Sequence, residues 1–337
     1  MGWDNFFQQQ LSLEEWGASN PARVIGQHKS VFEVEAGEGK LNITVTKSTP
    51  QLTVGDWVLL DTDNGILRVL QRKSCFRRKA AGSKQSEQLI AANVDTAFIV
   101  CSLNDDFNLN RIERYLSIVH EAGSEPVVVL SKADICLRPE SFQHQVQALD
   151  CLLNVEMVNC LESSSVSVLL PWCQQGQTVV MLGSSGSGKS TLSNTLMGEE
   201  VQATREIREG DAKGRHTTTR RSLLSMPCGA MLLDTPGMRE VQLTGCEEGV
   251  YATFADIENL SEHCRFDDCR HGAEPGCAVQ HALEVGELDK RRFTNYCKLI
   301  REQALNEGSL VDRRAKDREM GMLYKRVQQE TKKIKRG

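Results

Sequence analysis

No apolar run in these 337 residues approaches the roughly 20 needed to cross a bilayer. The longest, Ala97 to Cys101 and Pro126 to Leu130, have the length of core strands, so no membrane-spanning segment is expected. The first twenty residues hold Asp4, Glu14 and Glu15 but no Lys or Arg, the wrong charge for the start of a secretory signal. A cytoplasmic location is therefore expected. Without export, the 12 cysteines read as reduced thiols, most of them small core residues and some of them metal ligands, rather than as a disulfide framework.

Acidic residues are absent from one stretch of a chain whose net charge is −5. Between Arg68 and Lys84 stand Arg68, Arg72, Lys73, Arg77, Arg78, Lys79 and Lys84 with no Asp or Glu, and residues 311–337 carry ten basic residues against four acidic ones. The overall charge disfavours indiscriminate attraction to polyanions, yet local nucleic-acid contact stays open. Charge runs are more often solvated surface.

At this length, with 40% apolar residues, the chain can bury a substantial core spread over roughly two or three domains. From Ala22 to about Leu70, five short apolar stretches are broken by turn residues, with Asn64-Gly65 as a tight hairpin. They predict a small N-terminal β-barrel of the oligonucleotide-binding (OB) type. From about Glu87 strands alternate with helical periodicity: Thr96 to Cys101, Val127 to Leu130, Val155 to Val158, Val179 to Leu182, Leu223 to Met226 and Met231 to Leu233. Leu109, Ile112, Leu116 and Val119 recur on one helical face that ends near Gly123. The pattern is α/β with a mostly parallel sheet, which binds ligands at the carboxyl ends of its strands. The expected division is an N-terminal extension (1–20), the OB barrel (21–75), a basic linker (76–90), the α/β domain (91–243), and a Cys/His-rich, mainly helical segment with a basic tail (244–337).

Gly183-Ser184-Ser185-Gly186-Ser187-Gly188-Lys189-Ser190 follows an apolar strand and precedes a helix-like run that begins with Thr191. That context marks a phosphate-binding loop: glycines let backbone N–H groups turn toward a phosphate, Lys189 adds charge, and Ser190 can ligate Mg²⁺. Asp234-Thr235-Pro236-Gly237 follows the next strand and suits a nucleotide-sensing switch, with Asp234 near the Mg²⁺ shell and the Gly237 N–H near the γ-phosphate. Ser131-Lys132-Ala133-Asp134 also follows a strand. The Asp134 carboxylate can accept from the ring N–H and exocyclic amine of guanine, a pair adenine does not offer. The order is base motif, phosphate loop, switch, whereas an ordinary GTPase runs phosphate loop, switch, base motif. A compact domain tolerates such a circular permutation when its surface ends lie close together.

This order, with a barrel ahead and a Cys/His cluster behind, resembles the bacterial RsgA/YjeQ family of small-ribosomal-subunit-dependent GTPases that act late in subunit assembly. The likeness runs from Pro21-Ala22-Arg23-Val24 through Ala91-Ala92-Asn93-Val94-Asp95 to Glu274-Pro275-Gly276-Cys277-Ala278-Val279. It implies a circularly permuted P-loop GTPase fold and GTP hydrolysis stimulated by the small subunit, with the barrel and a zinc segment docking on its rRNA. GTP or GDP with Mg²⁺, structural Zn²⁺ and a monomeric chain are the corresponding expectations. Two positions depart from the family pattern. Ser131 stands where Asn is usual, which predicts loss of an amide that would brace base and phosphate loop. Asn159-Cys160 stands where the next base loop usually has Ser-Ala, a place whose role rests on a backbone N–H.

A Ras-like enzyme has a water-orienting Gln after the switch glycine, but here Met238 occupies that place. Slow intrinsic hydrolysis is the consequence. Gly214-Arg215-His216-Thr217-Thr218-Thr219 matches the family's first switch loop, making Thr217 or Thr218 the candidate Mg²⁺ ligand and His216 the candidate for positioning water. Cys264, Cys269, His271 and Cys277 form Cys-x₄-Cys-x-His-x₅-Cys, enough for a closed tetrahedral zinc site, with His263 and His281 as alternative ligands. Two other readings stay open: a P-loop ATPase or kinase, and a nucleotide-gated RNA-binding scaffold whose hydrolysis is incidental.

Overall fold

The computed structural model describes residues 1–28, 31–37, 39–46, 49–79, 87–198, 221–234, 246–272 and 274–307. Two short helices come first, α1 (Asn5–Gln8), capped by Asp4, and α2 (Leu13–Ala18), where Ser12 and Glu15 cap each other's backbone N–H groups. Strands β1 (Asn20–His28), β2 (Val31–Ala36), β3 (Gly39–Thr44), β4 (Trp57–Leu60) and β5 (Ile66–Val69) follow where the apolar stretches predict them. They pair antiparallel in the order β3-β2-β1-β4-β5 and curl around one core of Ala22, Val24, Phe32, Val34, Val58 and Leu60. Asn64 turns the β4–β5 hairpin at φ 62°, a left-handed conformation that Asn tolerates.

The stretch predicted to be a basic linker instead pairs in large part as a hairpin of β6 (Cys75–Lys79) and β7 (Glu87–Ala92). Phe76, Leu89 and Ile90 are buried, so apolar residues set among the basic ones give the hairpin an inward face. Several of the cations are engaged within the protein. Arg68 holds Glu15, Arg72 holds Asp56, and Lys73 holds Asp4, so the basic run clamps the N-terminal helices against the barrel.

The α/β region contains β8 (Thr96–Ser102), α3 (Leu109–Ala122), β9 (Glu125–Ser131), α4 (Pro139–Gln147), β10 (Asn154–Val158), α5 (Ser163–Val166), β11 (Thr178–Leu182), α6 (Lys189–Met197), β12 (Arg221–Ser225) and β13 (Met231–Asp234). Its sheet runs β10-β9-β8-β11-β13-β12, parallel except for β12. Side chains of a strand alternate between faces, and the core divides accordingly. Ala97, Ile99, Val128, Leu130, Val180 and Leu182 face α3, while Phe98, Val100, Val127, Val129, Val179 and Met181 face α6. Both faces are covered, as parallel strands with near-continuous apolar sequence require.

β12 also pairs with β1 (Gly26↔Ser222), which fuses barrel and α/β region into one 11-stranded sheet. Arg23 crosses the seam, 1% exposed, donating to the Asn93 carbonyl at 3.2 Å and the Thr178 hydroxyl at 2.7 Å.

Four helices complete the described fold: α7 (Glu247–Thr253), α8 (Ala255–Ser261), α9 (Ala278–Val285) and α10 (Lys290–Glu307). Their Val250, Ile257, Val279 and Leu299, with Phe254 between α7 and α8, join the same apolar cluster as Ile112, Leu116 and Val119 of α3. The fully buried Glu113 carboxylate accepts from Arg291, Arg292 and Asn295 of α10. The Cys/His segment is thus anchored to α3 by shared core and by a buried ion network. Among the described residues no helix is long and apolar enough to cross a membrane.

Candidate nucleotide site

The parallel strands bring their carboxyl ends to one edge, where Ser102 pairs with Ser131 and Ser131 with Val158, while Leu182 and Asp234 end β11 and β13. The described residues of the base motif, the phosphate loop and the switch leave the sheet there. The chain leaves β11 through Gly183 at φ 142°, where a Cβ would lie 2.2 Å from the Val100 carbonyl oxygen. Glycine is therefore required for this close approach to β8. Gly186 and Gly188 also have positive φ, and Gly188 caps α6. Ser184, Ser185 and Ser187 complete the loop, with Ser187 fully buried and Ser185 exposed. Lys189, Ser190 and Thr191 form the first turn of α6, whose free N–H groups and dipole favour an anion. The Lys189 ammonium folds over the loop and donates to the Gly183 carbonyl at 2.9 Å and to the Ser184 carbonyl.

The base motif lies against this loop. Ser131 Oγ donates to the Ser187 carbonyl at 2.6 Å. The lost brace predicted for Ser131 is thus corrected on the phosphate-loop side: Ser131 is fully buried and close enough for a hydroxyl to reach. Lys132 adopts φ 61° and opens a 3₁₀ turn, Ala133–Ile135, that leaves Asp134 exposed at the same edge.

Asn159 and Cys160 follow β10, with the Asn159 N–H held by Ser165 Oγ at 2.9 Å. The Cys160 carbonyl accepts from Thr195 Oγ1 at 2.6 Å, which joins this loop to α6. A Cβ on Gly188 would sit 3.4 Å from Cys160 Sγ and 3.5 Å from Ser131 Oγ, so three loops distant in sequence meet at one glycine. Burial, then the Asp134 charge, pushes the Cys160 thiol up to about 11, with Lys132 opposing. It stays neutral and is no nucleophile at physiological pH.

Asp234 ends β13, one residue beyond the Leu233 that pairs with Val180. His216, Thr217, Thr218 and Gly237 lie outside the described residues, as do Met238 and residues 311–337. Asp106 escaped the sequence reading. Its carboxylate accepts from Ser184 Oγ and, at 2.7 Å, from Arg111 Nη1. An acid a few residues beyond a parallel strand's carboxyl end was the available signal.

Cys264, Cys269, His271 and Cys277 present ligand atoms that all lie within 4.8 Å of one another. His271 Nδ1 is 3.6 Å from Cys264 Sγ and 3.5 Å from Cys277 Sγ, and the two sulfurs are 3.9 Å apart. A tetrahedron of thiolates at about 2.3 Å and imidazole at about 2.0–2.1 Å has edges of roughly 3.5–3.8 Å. The four residues fit a metal ion. His263 Nδ1 instead faces the Asn259 carbonyl at 2.8 Å.

The RsgA GTPase family model matches residues 69–244. The chain is 56% identical over 333 residues to the small ribosomal subunit biogenesis GTPase RsgA 2 of Vibrio parahaemolyticus, covering 99% of this chain and 93% of that one. It is 49% identical over 296 residues to small ribosomal subunit biogenesis GTPase RsgA of Xylella fastidiosa, covering 83% and 84%. Among solved structures it resembles YjeQ from Thermotoga maritima (TM-score 0.61, 24% identity, 84% and 98% covered). It also resembles the circularly permuted GTPase YloQ (TM-score 0.60, 22% identity, 86% and 96% covered). These two likenesses concern the fold, and the sequence relatives together with the family model carry the activity. The phosphate loop, the permuted strand order and this kinship lead to one conclusion: the chain belongs to the RsgA GTPase family.

Proposed function

We propose that this GTPase is stimulated by the small ribosomal subunit and acts in late small-subunit assembly through contacts with rRNA, as a cytoplasmic monomer. The observation that carries its nucleotide chemistry is the Ser131–Ser187 contact, which ties a base loop to a phosphate loop across 56 residues of sequence. The Asp134 carboxylate selects guanine by accepting from the ring N–H and the exocyclic amine of the base. Gly183 to Ser190 and Thr191 cradle the phosphates, with Asn159 and Cys160 flanking the base. Ser190, Asp234 and Thr217 or Thr218 are the residues for Mg²⁺, and the Gly237 N–H meets the γ-phosphate. Bound Mg²⁺ neutralises charge on the phosphate oxygens. His216 positions the attacking water.

The Cys264, Cys269, His271 and Cys277 set takes structural Zn²⁺, supported by its soft, complete donor set with no open position. The relatives' names, which specify small-subunit biogenesis, support the ribosomal assignment. GTP turnover measured with purified small subunits, large subunits and neither is the test. Stimulation by small subunits alone is expected, and equal rates in all three would refute the assignment.

A further inference from the structure

Ser184, the second residue of the phosphate loop, is held from two sides. Its carbonyl accepts from Lys189, and its hydroxyl donates to Asp106 in the loop between β8 and α3. The first tie does not outlast nucleotide binding, because a phosphate-loop lysine turns its ammonium to the phosphates. The second involves no group that the phosphates require. Together with the Ser187 N–H, which reaches the same Ser184 carbonyl at 3.4 Å, it keeps the first turn of the loop in place once Lys189 has turned away.

The acceptor is itself built in. Asn104 Oδ1 accepts from the Ser102 hydroxyl at 2.8 Å and from the Asp106 N–H at 3.1 Å, fixing the turn that carries the carboxylate. Asn108 caps α3 by accepting from the Arg111 N–H, and Arg111 closes on Asp106 at 2.7 Å. The Arg111 hydrogen bond, with Ser184 and the Lys132 charge adding to it, holds the Asp106 carboxyl below the usual carboxylate range. An anion beside a phosphate site opposes binding unless it is compensated, and Arg111 supplies the compensation. Two residues further along α3, Glu113 grips α10, so the helix that sets Asp106 is the one that carries the C-terminal segment.

We propose that Asp106 is a positioning residue for the phosphate loop, acting through the Ser184 hydroxyl and set in place by Arg111 of α3. The loop grips phosphate alike in ground and transition states, so loss of this tie removes uniform binding.

The test is steady-state GTP hydrolysis and GDP affinity for Ser184→Ala, Asp106→Ala, Asp106→Asn and the double Ser184→Ala/Asp106→Ala variant, with melting temperatures alongside. A hydrogen bond to a charged group predicts about a tenfold rise in KM and in the Kd for GDP for Ser184→Ala and Asp106→Ala, with kcat kept. The double variant should be no worse than the poorer single one. Asp106→Asn retains an oxygen that accepts from Ser184 and should fall between Asp106→Ala and the unaltered protein. Ser184→Ala deletes one hydroxyl from a half-buried loop position, so it remains informative if Asp106→Ala fails to fold. An unchanged KM in Ser184→Ala, or additive losses in the double variant, would overturn the proposal.

Discussion

The Ser131 hydroxyl donates to the carbonyl of Ser187 at 2.6 Å, a bond between two fully buried residues that belong to different nucleotide loops. It holds the base loop and the phosphate loop at a fixed separation. Ser131→Ala leaves the Ser187 carbonyl buried without this donor. At about 1 kcal/mol for such a bond, the Kd values for GTP and GDP should each rise roughly fivefold. Isothermal titration checks it, and unaltered affinities would show the brace to be idle.

Gly249 lies where α7 crosses α3, and a Cβ there would come 2.0 Å from the Ser117 carbonyl oxygen and 2.8 Å from the Glu121 backbone nitrogen. Neither backbone atom can yield without moving α3. Gly249→Ala should destabilise the protein by about 2–4 kcal/mol, seen as a lower urea midpoint. Gly286→Ala is a useful contrast, since open space surrounds its Cβ and the cost there is only that of φ 80°.

Glu113 is fully buried on α3, with Arg292 5% exposed opposite it. Glu113→Ala takes one of two carboxylates from a buried guanidinium, leaving it Asp256 and the Thr253 carbonyl. Breaking one side of such a network costs about 3–5 kcal/mol. Hydrogen exchange should report it as lost protection in α10, and protection equal to the parent protein would contradict the anchoring role.

Much of this fold is legible in residue spacing because burial follows period. The apolar face Leu109, Ile112, Leu116 and Val119 turned out to pack against the sheet, and Gly123 ends that helix at φ 75°. The phosphate loop is legible for a related reason: its glycines answer local backbone demands. What escaped depends on partners far away in sequence. Arg68, Arg72 and Lys73 read as a basic run, yet their acids sit at Glu15, Asp56 and Asp4, so charge composition alone could not separate a clamp from a polyanion surface. Nothing in the local sequence marks Glu113, because its three donors lie about 180 residues later. At Ser131 the family pattern predicted a missing brace, since side-chain length was weighed without knowing how closely Ser187 approaches.

The four-ligand cluster makes a prediction about metal removal. Cys264 and Cys269 pack on the main core while Cys277 caps α9, so an ion held by these residues would join a loop, a helix start and the α3 cluster. Chelation, or Cys269→Ser, should release bound zinc, found by elemental analysis, and raise hydrogen exchange across residues 264–285. Structural zinc contributes on the order of 10 kcal/mol in small peptides, so α9 is expected to lose its fixed position without it. Binding of GDP should persist, because the phosphate loop and base loops are braced by Ser131 and Thr195 rather than by this segment. Unchanged exchange after complete metal loss would rule out a structural role.

Strong acid should release the N-terminal helices. Glu15 accepts from Arg68 at 2.7 Å and from the Ser12 N–H at 2.9 Å, and these bonds hold its carboxyl down at about 2 against an ordinary value of 4.5. A carboxylate with a lowered folded pKa stabilises the fold above its unfolded value, and that contribution disappears as pH falls through the folded one. The window is therefore pH 4.5 to about 2, with the loss growing steadily across it. Trp16, half-exposed on α2, serves as the reporter. Its fluorescence should change across this window in the unaltered protein, while Glu15→Gln should already show the released signal at neutral pH. An identical acid profile in both proteins would mean that Arg68 and Glu15 do not hold α2 to the barrel.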